Sequence, residues 1–135
     1  MKFNTSAHSV YNLKAHIIFV VAYRRKAITQ KILVRLEEIF HEVCSHYNTH
    51  LIEFSGEADH VHLLIEYSPV VRLADLIRVL KSVSSQKIRA EYYSEIKHLL
   101  WGQRFWTRSY CVISVGDGAN TEIIERYIRN QNQPK

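Results

Sequence analysis

The run from Asn12 to Tyr23 constrains the fold more than any other part of this chain. His16-Ile17-Ile18-Phe19-Val20-Val21 is an almost unbroken series of β-branched and aromatic side chains, and a strand without polar alternation has to be covered on both faces. A chain holding such a strand needs further strands beside it and packed material above and below. The rest of the sequence is divided into pieces of the right size to supply them.

Thr29 is placed to cap a helix whose apolar residues Ile32, Leu33, Leu36, Ile39, Phe40, Val43, Cys44 and Tyr47 recur at three-and-four spacing. His50 to Phe54 reads as a short strand and Ser55-Gly56-Glu57 as a turn. His60 to Tyr67 alternates as a second strand, so the two form a hairpin. After Ser68-Pro69, the residues Leu73, Leu76, Ile77, Leu80, Val83 and Ile88 mark a second long helix ending near Glu91. Tyr92 to Leu100 reads as a short helix and Tyr110 to Val115 as a fourth strand. Gly116-Asp117-Gly118 breaks that strand, and Thr121 to about Gln131 is a final helix. This order predicts an α+β, ferredoxin-like (RRM-like) antiparallel sheet with helices on one face and an added C-terminal helix.

The length of 135 residues fits one domain, taken as 1–135. With 47% hydrophobic and 23% charged residues and only four Gly and two Pro, the chain is neither disordered nor fibrous. The longest apolar runs, such as Ala15 to Ala22, are too short to cross a bilayer, and no charged-then-apolar signal segment opens the sequence. A cytoplasmic location is therefore expected, with Cys44 and Cys111 reduced. The net charge of +5 favours a polyanionic partner.

Three groups of residues can carry chemistry. His60 and His62 sit two apart on a strand, so both imidazoles point to one side while Val61, Leu63 and Ile65 point to the other. Two imidazoles can hold a divalent ion, although eight histidines in this length give about 0.5 such pairs by chance. Tyr127 and Gln131 are four apart and share a helix face, where the bland alternative is a core tyrosine. Arg78, Lys81, Ser85 and Arg89 form a stripe expected on the solvent face of the second helix, widened by Ser82, Ser84 and Lys87. With Arg24, Arg25 and Lys26 after the first strand, and Arg104, Trp106 and Arg108 before the fourth, they offer phosphate binders beside aromatic platforms. A merely solvated face is the alternative.

Taken together, Lys14-Ala15-His16 leading to Tyr23-Arg24-Arg25-Lys26, then Asp59-His60-Val61-His62-Leu63-Leu64, then Trp106 to Gly116, and finally Tyr127-Ile128-Arg129-Asn130-Gln131, resemble the single-tyrosine HUH transposases. These are the IS200-type TnpA proteins of very small insertion sequences, and the resemblance covers nearly the whole chain. Ala58 stands where related proteins often carry proline, and Asp117-Gly118 alters the hinge loop. The resemblance implies a metal-dependent endonuclease and strand transferase acting on single-stranded DNA with hairpins at element ends. On that basis His60, His62 and Gln131 would ligate Mg²⁺ or Mn²⁺, and Tyr127 would be the nucleophile, leaving a 5′-phosphotyrosine. It also implies a homodimer with active sites shared in trans. His16, equally readable as a hydrogen-bonded core residue, is left out of the catalytic set, and Glu66 is too far along its strand to be a ligand. The rival classes are a non-catalytic hairpin-binding protein and a phosphohydrolase that uses water.

Overall fold

The computed structural model describes residues 4–5, 10–100, 102, 104–115 and 121–131. A minimal pairing of Asn4–Thr5 with Val10–Tyr11 precedes the main elements. These are β1 (Leu13–Val20), α1 (Gln30–His46), β2 (His50–Glu57), β3 (His60–Tyr67), α2 (Leu73–Glu91), α3 (Tyr93–Ile96), β4 (Cys111–Ser114) and α4 (Thr121–Arg129). The four long strands form one antiparallel sheet in the order β2-β3-β1-β4. This is the expected ferredoxin-like arrangement, with the continuous apolar run as an interior strand. The glycine-bearing break at 116–118 lies outside the described residues.

The two faces of β1 have separate duties. Ala15, Ile17, Phe19 and Val21 point toward α1 and α2 and join Ile32, Leu36, Phe40, Leu76, Ile77 and Leu80 in the main core. Phe19 is central, with its ring 5.9 Å from Phe40 and 5.6 Å from Trp106. Truncating a fully buried phenylalanine of this kind to alanine costs about 3–5 kcal/mol. Ile18 and Val20 are also buried but stand outside that cluster. They share the opposite face with His16, His60 and His62, and α4 lies along that side.

Local chemistry sets the element boundaries. The Thr29 hydroxyl accepts from the Ile32 amide, capping α1 as expected. The β2–β3 hairpin differs from the reading of its sequence: Ser55, Gly56 and Glu57 are ladder residues paired with His62, Val61 and His60, and the turn is Ala58-Asp59. The reason is outside the hairpin. The Ala58 and Asp59 carbonyls accept from the Ile28 and Val21 amides, so backbone from another part of the chain stabilises a tight two-residue turn. Gly56 permits it, because a Cβ there would stand 2.8 Å from both the His60 carbonyl oxygen and Leu33 Cδ1. The helix expected from Tyr92 to Leu100 is shorter, and Cys44 and Cys111 are free thiols. Among the described residues no helix is long and apolar enough to cross a membrane.

Candidate active site

The antiparallel register sets Ile18 opposite His62 and Val20 opposite His60. His16, diagonal to His62, places its Nδ1 2.7 Å from His62 Nε2, with the two rings stacked at 4.9 Å between centroids. One nitrogen must donate and the other accept, so the two imidazoles act as a unit. Burial, and next the neighbouring His16, lowers the His62 pKa below the ordinary imidazole value. His62 is thereby kept in the neutral form that binds metals. His16, left out of the set read from sequence, belongs to this site.

His60 is held from the side by a carboxylate. Its Nδ1 lies 2.9 Å from Asp59 Oδ1, while Asp59 Oδ2 lies 3.5 Å from Arg24 Nε. Arg24 and Tyr23 both adopt left-handed backbone, with φ of 54° and 58°, which non-glycine residues seldom do. This turn carries Arg24 back to Asp59. A carboxylate on Nδ1 is the usual device for orienting a metal-binding imidazole and leaving Nε2 to the ion. The Nε2 of His60 stands 3.8 Å from Glu57 Oε2. Ligand atoms of Glu57, Asp59 and His60 all lie within 4.8 Å of one another. This mixture of imidazole nitrogen and carboxylate oxygen could hold a divalent ion. Glu66, by contrast, is 4.0 Å from the Lys14 ammonium on β1.

Tyr127 and Gln131 do share one side of α4, and both reach Ser109. The Ser109 hydroxyl is 3.0 Å from the Tyr127 hydroxyl and donates to Gln131 Oε1 at 3.0 Å, while Gln131 Nε2 donates to the Tyr127 carbonyl at 3.3 Å. Burial pushes the Tyr127 phenol above its ordinary value, and hydrogen bonds from Ser109 and Thr107 oppose this in part. Gln131 is thus joined to the tyrosine and bonds neither histidine here. Between the hairpin and α4, Ser55, Glu57 and His60 face Ile124, Ile128 and Arg129 across a cavity of about 570 Å³.

The basic residues divide into two groups. Arg24, Arg25 and Lys26 follow β1 beside Asp59, and Arg24 is turned onto that carboxylate. Arg78, Lys81, Ser85, Arg104 and Arg108, with Tyr110, line a groove of about 410 Å³ between α2 and the segment entering β4. The stripe on α2 is not a uniform solvent face. Half-buried Lys81 donates to the carbonyls of 107–109, and Arg89 to those of Leu100, Gly102 and Arg104. Burial lowers the Lys81 pKa, with Arg104 adding to the effect. Ser84 is fully buried and receives the Trp106 indole N–H at 2.9 Å. Trp106 is therefore a core residue and not a stacking platform, whereas Tyr110 is exposed, with its ring 6.0 Å from the Lys81 ammonium.

Residues 9–131 match the family model described as "Transposase IS200 like". This chain belongs to the IS200-like transposase family. It is 29% identical to the ISDra2 transposase TnpA of Deinococcus radiodurans over 123 residues, covering 91% of this chain and 86% of that protein. It is 33% identical over 125 residues to the transposase for insertion sequence element IS200 of Salmonella typhimurium, covering 93% and 80%. A crystal structure of a candidate transposase from D. radiodurans R1 superposes on this IS200-like transposase with a TM-score of 0.87 at 26% identity, covering 97% of this chain and 99% of that one. The REP-associated tyrosine transposase, solved bound to a REP hairpin, shares the fold at a TM-score of 0.53 and 10% identity, covering 92% and 68%.

Proposed function

We propose that this transposase is a single domain that cleaves and rejoins single-stranded DNA at hairpin-bearing element ends, with Tyr127 as nucleophile. The observation that carries this reading is the position of Tyr127. Its hydroxyl is held by Ser109, on a helix lying over the sheet face that presents His16, His60 and His62. The phenolic oxygen bonds to phosphorus as the P–O3′ bond breaks, giving a 5′-phosphotyrosine and a 3′-hydroxyl, and the phosphodiester energy is retained for rejoining by the reverse step.

His60 and His62 are the proposed ligands for Mg²⁺ or Mn²⁺, with Gln131 as the third. A bound divalent ion supplies charge neutralisation at the scissile phosphate. Asp59 fixes the His60 ring, the buried setting keeps His62 neutral, and Gln131, now bonded to Ser109, would have to leave it to serve as a ligand. Glu57, on the rim of the same cavity, adds a carboxylate oxygen. The cavity between His60 and α4 has room for the nucleotide beside the cleaved bond.

Arg78, Ser85, Arg104 and Arg108 form the proposed track for the strand backbone, with Tyr110 as a stacking surface. Lys81 and Arg89 add positive field there while holding carbonyls. Arg24, Arg25 and Lys26 extend the basic surface to the hairpin side. A homodimer with sites shared in trans is proposed from the family. The test incubates the protein with the single strands flanking its gene, with and without Mg²⁺, and resolves the products on a denaturing gel. A protein–DNA adduct that Tyr127→Phe abolishes is the expected result. Binding without an adduct indicates a non-catalytic binder, and cleavage without one indicates hydrolysis by water.

A further inference from the structure

An ammonium has three hydrogens, and Lys81 has three consecutive acceptors for them: the carbonyl oxygens of Thr107 at 2.6 Å, Arg108 at 3.1 Å and Ser109 at 3.3 Å. Three successive carbonyls point at one place only when the backbone curls round it, and their negative ends repel unless a cation sits there. The curl is also pinned from both sides. The Thr107 amide donates to the Val20 carbonyl at 2.8 Å, and the Thr107 hydroxyl donates to the Ser109 carbonyl at 3.2 Å. On the α2 side, Trp106 reaches Ser84. The last residue of the curl is Ser109, whose carbonyl faces Lys81 and whose hydroxyl meets both Tyr127 and Gln131.

We infer that Lys81 is a positioning residue for Tyr127: through the backbone of 107–109 it fixes where the Ser109 hydroxyl stands, and so where the phenol is held. Its catalytic meaning rests on the reading of Tyr127 as nucleophile. A lysine on the groove wall would otherwise be taken for a phosphate contact, but this one has its hydrogens committed to carbonyls, whereas Arg78 and Arg108 beside it are exposed. The arrangement also places the wall of the basic groove and the hydrogen-bond partner of the tyrosine on one short stretch of backbone. Arginine is a poor replacement, because a planar fork cannot fan toward three convergent carbonyls.

The experiment compares Lys81→Met, Lys81→Arg, Ser109→Ala and the Lys81→Met/Ser109→Ala double variant. It reads oligonucleotide affinity, the rate of adduct formation at saturating oligonucleotide, and the ring signal of Tyr127 in ¹³C-tyrosine-labelled protein, assigned with Tyr127→Phe. Lys81→Met is expected to lower the saturated rate roughly 10- to 100-fold, the range for misplacing a reacting group by about an ångström. It is expected to move the Tyr127 signal as Ser109→Ala does, with a double variant no slower than the slower single one. Lys81→Arg keeps the charge and should still displace the signal, and it carries the test if the Met variant does not fold. An unchanged saturated rate with weakened affinity would make Lys81 a simple DNA contact and overturn the inference, as would additive losses in the double variant. Should the wild type form no adduct, the nucleophile reading fails separately, and a Tyr127 signal unmoved by either Lys81 variant would still refute the positioning.

Discussion

The Nδ1 of His16 lies 2.7 Å from the Nε2 of His62, across adjacent strands of the sheet. The pair sits on the face opposite the main core, and burial lowers the His62 pKa. An unfolded chain regains the ordinary imidazole value of about 6.5. Between that value and the lowered one, the unfolded state binds more protons than the folded state. Stability is therefore fully present above about pH 6.5 and is lost as pH falls through the window below it, by at most about 1.4 kcal/mol per pH unit for one group. Urea denaturation between pH 5 and 7.5 should show this slope, and His62→Gln should flatten it.

Asp59 touches His60 at 2.9 Å and is itself met by Arg24. Removing an orienting carboxylate of this kind typically weakens metal binding about 10- to 100-fold. Asp59→Asn is expected to lower Mn²⁺ affinity by that factor, measured by the loss of free Mn²⁺ signal in electron paramagnetic resonance. An affinity equal to wild type would remove Asp59 from the site.

Gly56 is a ladder residue pressed against the His60 carbonyl, with 2.8 Å to any added Cβ. Gly56→Ala must displace β2 from β3 and also move Leu33, at a cost of about 1–3 kcal/mol. Because the contact is with His60 itself, the same variant should also weaken Mn²⁺ binding. Denaturation together with a metal titration checks both, and a stability unchanged within error would show that the hairpin yields freely.

Much of this architecture is legible along the chain. Val61, Leu63 and Ile65 alternate with His60 and His62, and the structure buries the first set while leaving the second half-buried on the other face. What the sequence hides is pairing across elements. Nothing near His16 shows that the register brings it diagonally to His62. Ser109 in Thr-Arg-Ser-Tyr carries no motif, and its role depends on a helix twelve residues further on in the chain. Periodicity places Lys81 and Ser84 on α2 but does not reveal that the segment before β4 folds over them, which is why a basic stripe read as solvent-facing is partly buried. Glu57 looked like a turn residue because the backbone partners that tighten Ala58-Asp59, Val21 and Ile28, lie far back in the sequence.

Burial raises the Tyr127 phenol above its ordinary value of 10.0. At neutral pH the Tyr127 phenol is therefore almost wholly protonated, and the fraction ionised grows tenfold per pH unit. With Tyr127 as the proposed nucleophile and with metal and oligonucleotide saturating, adduct formation should rise with pH from 7, about tenfold per unit until the phenol ionises. A plateau near pH 7 would mean that ionisation of the phenol does not limit the step.

Helix α4 has nine residues, too few to be stable without a surface to lie on. In this chain it lies over its own sheet, and the contacts of Tyr127 and Gln131 with Ser109 are ordinary hydrogen bonds, worth about 0.5–1.5 kcal/mol each. Ties that weak at the tyrosine permit the same helix to use the equivalent Ser109 of a second copy. The outer strands β2 and β4 leave backbone edges at which two copies can meet. If the working unit is a dimer with shared sites, mixing Tyr127→Phe with His62→Ala after subunit exchange restores one complete site per heterodimer. Adduct formation is then expected to return to about half the wild-type level per heterodimer, by the count of intact sites. In a cis arrangement both sites of the heterodimer lack one part and the mixture stays inactive. Confirmed heterodimers without recovery would reject the trans model, and a protein that sediments as a monomer at working concentration would reject the dimer itself.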